Sequence, residues 1–360
     1  VKHLDEYRNR ELVEGLAKRV AAEVKPEQSY RFMEVCGTHT MAVARAGLRH
    51  LLPKNLELLS GPGCPVCVTP IGYVDAAVAY AKRPNTAICT FGDLVRVPGS
   101  TSSLIHERAK GADIRVLYSP LELIPLAKAE PEKLFIFLGV GFETTTPTVA
   151  GLLDVAEREG LKNFALLGAH KTMPAAMAGL TGGELGLHGF LLPGHVSVIT
   201  GLAMYRFLVE EHSLVCAVTG FEAVDLLEGI LELVDQVNSG KPRVANRYPR
   251  AVTEEGNPRA QQLVAKFFEP ADAEWRGLGV IPLSGLKLRE EYSRFDALSA
   301  FPVEVEKPAE PKGCHCGEVL CGLIHPPECG LFGKTCTPEN PVGACMVSSE
   351  GACAAYYKYR

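Results

Sequence analysis

The sequence predicts an α/β protein: two small, mostly parallel α/β domains in tandem, followed by a C-terminal cysteine-rich domain. Three observations carry that expectation. Short continuous apolar runs alternate with longer helical stretches through the middle of the chain, the pattern of parallel strands covered on both faces. The runs are too many for one small sheet, so two domains with a join near residues 119–131 fit better than one. Finally, Cys314, Cys316, Cys321, Cys329, Cys336, Cys345 and Cys353 crowd the end of the chain, against five cysteines in all that precedes them. The sequence between them is turn-rich and too poor in apolar residues to fold by burial alone, so it needs disulfides or a metal as a staple.

Composition bounds the function. The 360 residues suit two to three domains. A net charge of −5 without an extended Lys/Arg run argues against a nucleic-acid binder. The charged start VKHLDEYRNRELVEG is unlike a signal peptide. No apolar run reaches the roughly eighteen residues of a membrane span. A cytoplasmic protein is expected, and there twelve cysteines read as metal ligands or redox thiols before structural disulfides.

In order, residues 4–23 form an amphipathic helix ended by Pro26. Tyr30–Val35 is strand-like and runs into Cys36-Gly-Thr-His39, where a helical pattern resumes. Cys36 is either a small buried hydrophobe or a thiolate whose pKa the first-turn amides lower. His39, three residues on, is a candidate base, donor or ligand. Leu56–Leu59 is a second strand, followed by Gly61-Pro-Gly-Cys64-Pro-Val-Cys67 and a helix over Ile71–Ala81 with Thr69 as cap and Pro70 as first residue. Cys64 and Cys67 thus make a redox or metal-binding C-x-x-C ahead of a helix. No second such pair is near, so a zinc ribbon is not supported.

Further strands are expected at Thr86–Phe91, Ile114–Tyr118, Leu134–Leu138, Phe164–Leu167, Phe190–Leu192 and Leu214–Val218. Helices are expected at Ser102–Lys110, Pro120–Ala129, Pro147–Glu159, Met173–Gly179, Ser197–His212 and Val224–Asn238. Cys89 and Cys216 lie inside strand-like runs and read as core. Gly139-Val-Gly-Phe-Glu143-Thr-Thr-Thr-Pro147 follows a strand but matches neither G-x-G-x-x-G nor a Walker loop. Glu143 there suits a base or acceptor facing a partner or thiol better than a phosphate cradle. His170, Lys171 and His195 also follow strands, where α/β proteins bind ligands. Residues 239–250 are basic and turn-rich, and Pro302–Lys312 reads as a linker. The resulting division is 1–40, the N-terminal helix and Cys36 motif, packed on the C-terminal domain; 41–125 and 126–240, the two α/β domains; 241–310, a linker with accessory elements; and 311–360, the cysteine domain.

Zinc sites show short paired spacings, whereas single, loosely spaced cysteines suit an iron–sulfur cube with spare thiols as a redox pair. A zinc- or disulfide-stapled domain stands as the alternative.

Taken together, Cys36-Gly-Thr-His39, Gly61–Cys67, Gly141-Phe-Glu-Thr-Thr-Thr-Pro147, Pro193-Gly-His-Val196, Gly256-Asn257, Ile281-Pro-Leu-Ser-Gly285 and the tail from Cys314 to Cys353 resemble the HypD family of hydrogenase formation proteins over the whole chain. The resemblance implies a maturation factor for NiFe hydrogenases. With a small HypC-like chaperone it would scaffold a transient Fe(CN)2CO unit, taking cyanide from a HypE-like donor. It implies one 4Fe–4S cluster on Cys314, Cys329, Cys336 and Cys353, with Cys316 and Cys345 as a redox pair beside it. Cys64 and Cys67 would be a second exchange pair, and Cys36, near His39, the thiolate offered to iron. Cys321 receives no role. Glu143, His195 and His170 are expected to line the same cleft. A cluster-dependent thiol–disulfide oxidoreductase and a non-catalytic assembly protein with a structural cluster are the competing readings.

Overall fold

The computed structural model describes residues 9–182 and 185–359. Among these, two all-parallel sheets and one antiparallel hairpin make up the strand structure. The first sheet has five strands in the order β2-β1-β7-β8-β9: β1 Tyr30–Glu34, β2 Leu56–Ser60, β7 Gly189–Pro193, β8 Val215–Thr219 and β9 Val244–Asn246. The second has four in the order β4-β3-β5-β6: β3 Thr86–Thr90, β4 Asp113–Val116, β5 Leu134–Gly141 and β6 Phe164–His170. All pairings within both are parallel. The hairpin pairs β10 Phe268–Trp275 with β11 Gly279–Leu288.

The strands expected from apolar runs are all present, but they are not shared out in tandem. The second sheet is inserted between β2 and β7 of the first, and residues 119–131 lie between β4 and β5 of that one sheet. Parallel pairing needs only a crossover, and a whole sheet can serve as one. The basic stretch after residue 239 also supplies an edge strand, β9, rather than a linker alone.

Each sheet is covered on both faces. Helix Ala223–Ser239 and the N-terminal helix Arg10–Glu23 pack together over one face of the first. That helix starts at the Asn9 cap, whose Oδ1 accepts from the amides of Glu11 and Leu12. The segment 4–8 of the expected helix lies outside the described residues. The N-terminal helix therefore rests on the Ala223–Ser239 helix. The other face joins Val35, Cys64, Cys67 and Trp275 to the C-terminal cysteines in one apolar core. The expected Ser197–His212 helix breaks at Gly201, whose φ of 74° no ordinary helical residue adopts. No helix among the described residues is long and apolar enough to cross a membrane.

Candidate cysteine and metal centre

Because β1 and β2 are parallel neighbours, with Glu34 opposite Ser60, the segments that follow them leave the sheet side by side. Gly37 N–H donates to Gly63 O at 3.0 Å, and Gly61 N–H to Glu34 O at 2.8 Å. A Cβ on Gly63 would overlap the Cys36 backbone. The C-G-T-H and G-P-G-C-P-V-C motifs are therefore one backbone-locked junction. Cys64 and Cys67 are joined as a disulfide with a Cα–Cα distance of 5.3 Å. The helix behind them starts at Ile71 with Pro70 as its cap. Thr69, expected to cap it, instead donates its hydroxyl to Pro65 O at 2.8 Å.

Cys36 caps the helix Gly37–Arg45. Burial pushes its thiol up to about 12, overcoming the His39 and Thr38 amides that favour the thiolate. The expected lowering is thus reversed, because desolvation of a fully enclosed sulfur outweighs two amide dipoles. Beneath it, burial raises the Glu34 carboxyl to about 7, although Arg49, Ser60, Thr40 and the Cys36 amide all favour its charge. Thr40 Oγ1 donates to Glu34 Oε2 at 2.8 Å. Glu34 thereby braces the loop that presents Cys36. Sequence reading left Glu34 as an ordinary strand residue.

His39 and His195 share a stack. Phe221 lies parallel to the His195 ring at 3.8 Å and meets the His39 ring at 4.9 Å. His39 Nε2 bonds Gly220 O at 3.0 Å, which makes it the protonated nitrogen. Nδ1 is then a buried acceptor without a partner. Burial lowers His39 to about 4 and also lowers His195.

Glu143 Oε1 accepts from the Met173 amide at 2.8 Å, Oε2 is buried without a partner, and burial raises the carboxyl to about 7. Nearby, the buried Tyr205 hydroxyl bonds Ser197 Oγ at 3.2 Å. Burial raises this phenol, and negative charge on either Glu143 or Cys36 raises it further. His170 lies opposite Gly141, two residues before Glu143. Its ring packs edge-on to Phe268 at 5.4 Å, both nitrogens are buried without partners, and burial lowers it to about 4. Among the described residues, nothing links His170 to Cys36.

In the tail, Cys314, Cys316, Cys329, Cys336 and Cys353 line one small cavity whose other walls include Val319, Leu331, Phe332 and Met346. The Cys314 and Cys316 sulfurs are 3.3 Å apart. Thiol contacts lower Cys353 and Cys316 and push Cys345 and Cys314 up. Val342 N–H donates to Cys336 Sγ at 3.3 Å. Gly343 leaves room at the Cys314 and Cys316 sulfurs that a Cβ would fill. No three described His, Cys, Asp or Glu side chains converge closely enough for a single ion. A cavity lined by five cysteines, His315 and apolar side chains has the donor chemistry of an iron–sulfur cluster, which its thiolates would hold. Cys321 is half-buried and outside the cavity wall.

The loop between Cys345 and Cys353 ties both sheets to this centre. Asp93, just after β3, accepts from Ser348 Oγ at 3.0 Å and the Ser349 amide at 3.1 Å. Glu350 accepts from Thr38 Oγ1, beside Cys36, at 2.7 Å. These contacts span most of the chain, and no local spacing signals them.

Comparison with known proteins identifies the family. A model described as "HypD: Hydrogenase formation hypA family" matches residues 11–360. The chain is 46% identical to the hydrogenase maturation factor HypD of Rhizobium leguminosarum bv. viciae over 100% of its own length and 96% of that protein. It is 46% identical to HypD of Azotobacter vinelandii, over 100% and 97% of the two chains. It is 44% identical to HypD of Escherichia coli K12, over 100% and 98%. With two cysteine motifs side by side at the carboxyl end of its five-stranded sheet and its similarity running from end to end, this chain belongs to the HypD family of hydrogenase formation proteins.

Proposed function

We propose that this hydrogenase maturation factor is a redox-active scaffold on which a Fe(CN)2CO unit is built. Iron is the cargo. Cys36 offers it a thiolate, a soft ligand suited to low-spin ferrous iron carrying cyanide and carbonyl. The unpartnered Nδ1 of His39 and the buried Glu143 carboxyl are the nearby base and acceptor groups. Amides of the first turn after Cys36 favour the charge that cyanide brings. A HypC-like chaperone shares the iron, and a HypE-like protein delivers cyanide as a thiocyanate.

Release of cyanide breaks an S–C bond and takes two electrons. A dithiol at Cys64 and Cys67 supplies them: thiocyanate and two thiols give the donor's thiol, cyanide, a proton and the Cys64–Cys67 disulfide. The disulfide is the spent form, and exchange with Cys316 and Cys345 restores the dithiol. Cys314, Cys329, Cys336 and Cys353 would hold a 4Fe–4S cluster, which supplies single electrons when bound.

The observation that carries this reading is the Ser348–Glu350 loop, flanked by tail cysteines and bonded beside Cys36. Anaerobic infrared spectroscopy of the protein with its small partner, beside an iron count, tests it. Cyanide and carbonyl bands with about five irons per chain are expected, the cluster's four and one more. Cys36→Ala should lose the bands and one iron. No bands and about four irons, from cells making NiFe hydrogenase, would favour the thiol–disulfide oxidoreductase, which the Cys64–Cys67 pairing also supports.

A further inference from the structure

We propose that Arg276 is the built-in counter-ion of the cysteine centre, its buried guanidinium charge favouring the reduced state of the cluster held there. The proposal rests on the cluster reading above.

Arg276 follows β10 in the hairpin turn and is 3% exposed. Its Nε meets the more exposed Glu310 carboxylate at 3.4 Å. Both terminal nitrogens are buried without a hydrogen-bond partner. A guanidinium cannot shed its proton to escape burial, and leaving such a charge uncompensated is costly. The cysteine centre, whose Gly317 backbone abuts the residue after Arg276, is where negative charge would answer it.

The backbone explains why the guanidinium is there. Arg276 N–H donates to Val68 O at 2.9 Å, one residue beyond Cys67. Gly277 lies against the backbone of Gly317, one residue beyond Cys316. The hairpin turn thus wedges between the C-x-x-C segment and the cysteine tail. A cube ligated by four thiolates is negatively charged and becomes more so on reduction. Hydrogen bonds to its sulfurs and a fixed cation therefore favour the electron.

The test uses the full chain, purified anaerobically, with iron and sulfide counts and an EPR-monitored redox titration. A wild-type protein without a cluster would overturn the cluster reading itself. With about four irons present, Arg276→Gln should make one-electron reduction at least tenfold less favourable, a potential about 59 mV lower. Arg276→Lys keeps the charge but not the fork and should fall between. Glu310→Gln should leave the potential unchanged. The proposal is overturned if Arg276→Gln keeps its iron and titrates like wild type, or if Glu310→Gln shifts as far as Arg276→Gln. If Arg276→Gln loses its iron, Arg276→Lys decides: a lowered potential supports the proposal and an unchanged one overturns it.

Discussion

The two sheets end differently. The carboxyl end of the five-stranded sheet leads into Cys36, Cys64 and His195, with the cysteine loops locked backbone to backbone. The four-stranded sheet leads into Asp93, Glu143 and His170. Its one cysteine, Cys89, is buried inside β3. One sheet presents soft ligands, and the other presents a buried acid and the anchor for the tail. A ligand-binding edge of an α/β sheet has here been divided between two sheets, with sulfur on one side and oxygen on the other. The tail straddles both.

The largest expected effect separates the tail from the sheets altogether. Removing iron with a chelator under reducing conditions should leave β1 to β9 protected in hydrogen exchange. Amides from 314 to 353 should lose protection by at least about a hundredfold, on the order of 3 kcal/mol. Unchanged protection in the tail would mean that it needs no metal staple, and equal loss across strands and tail that the two unfold as one unit.

Within the five-stranded sheet, Gly63→Ala forces a methyl into the Cys36 backbone. Neither segment can yield without breaking the junction, so a cost of at least about 3 kcal/mol is expected in urea unfolding. A cost under about 1 kcal/mol would mean the junction is soft.

Beside the four-stranded sheet, Glu143 should betray itself through pH. Its folded pKa of about 7 lies above the ordinary carboxyl value of 4.5. The folded state therefore binds more protons between those values. The stability this contributes is fully present below about pH 4.5 and lost as pH rises through 7. Glu143→Gln cannot lose it, so the variant should gain on wild type by about 2–3 kcal/mol between pH 4.5 and pH 7. A constant difference across that range would place an ordinary carboxyl there.

The smallest effect is a control. Gly151, in the helix Thr146–Arg158, has open space where a Cβ would stand. Gly151→Ala should stabilise by up to about 1 kcal/mol, leaving cyanide and carbonyl bands unchanged. Destabilisation would show crowding against that helix.

Much of this was legible in one dimension, for reasons particular residues make plain. Cys89 and Cys216 sit in apolar runs and are fully buried in β3 and β8. The helical stretch expected from Pro120 begins there, with Ser119 as its cap. The nesting was not legible, because a parallel partner carries no local signature: nothing in Phe32 points to Gly189 opposite it. Edge strand β9 was hidden by its brevity inside a basic turn-rich stretch. At the site, the strand-end positions of Cys36, Cys64, Glu143 and His195 followed from pattern. The thiol's upward shift did not, because burial of Cys36 depends on surrounding elements far along the chain. Glu34, Tyr205, Asp93 and Glu350 carried no motif of their own.

The nesting also has a consequence in time. During synthesis, β1 and β2 emerge with their two cysteine loops long before β7, which pairs with β1 across the entire inserted sheet. The inserted sheet has its own complete set of strands and can form while it waits. Closing the outer sheet costs the entropy of so long a loop, a cost that falls once the insertion is compact. Glu350 reaches Thr38 only after every strand of both sheets has been made. The Cys36 thiol is thus enclosed late, so a nascent or partly folded chain leaves it open to oxidants and stray metals.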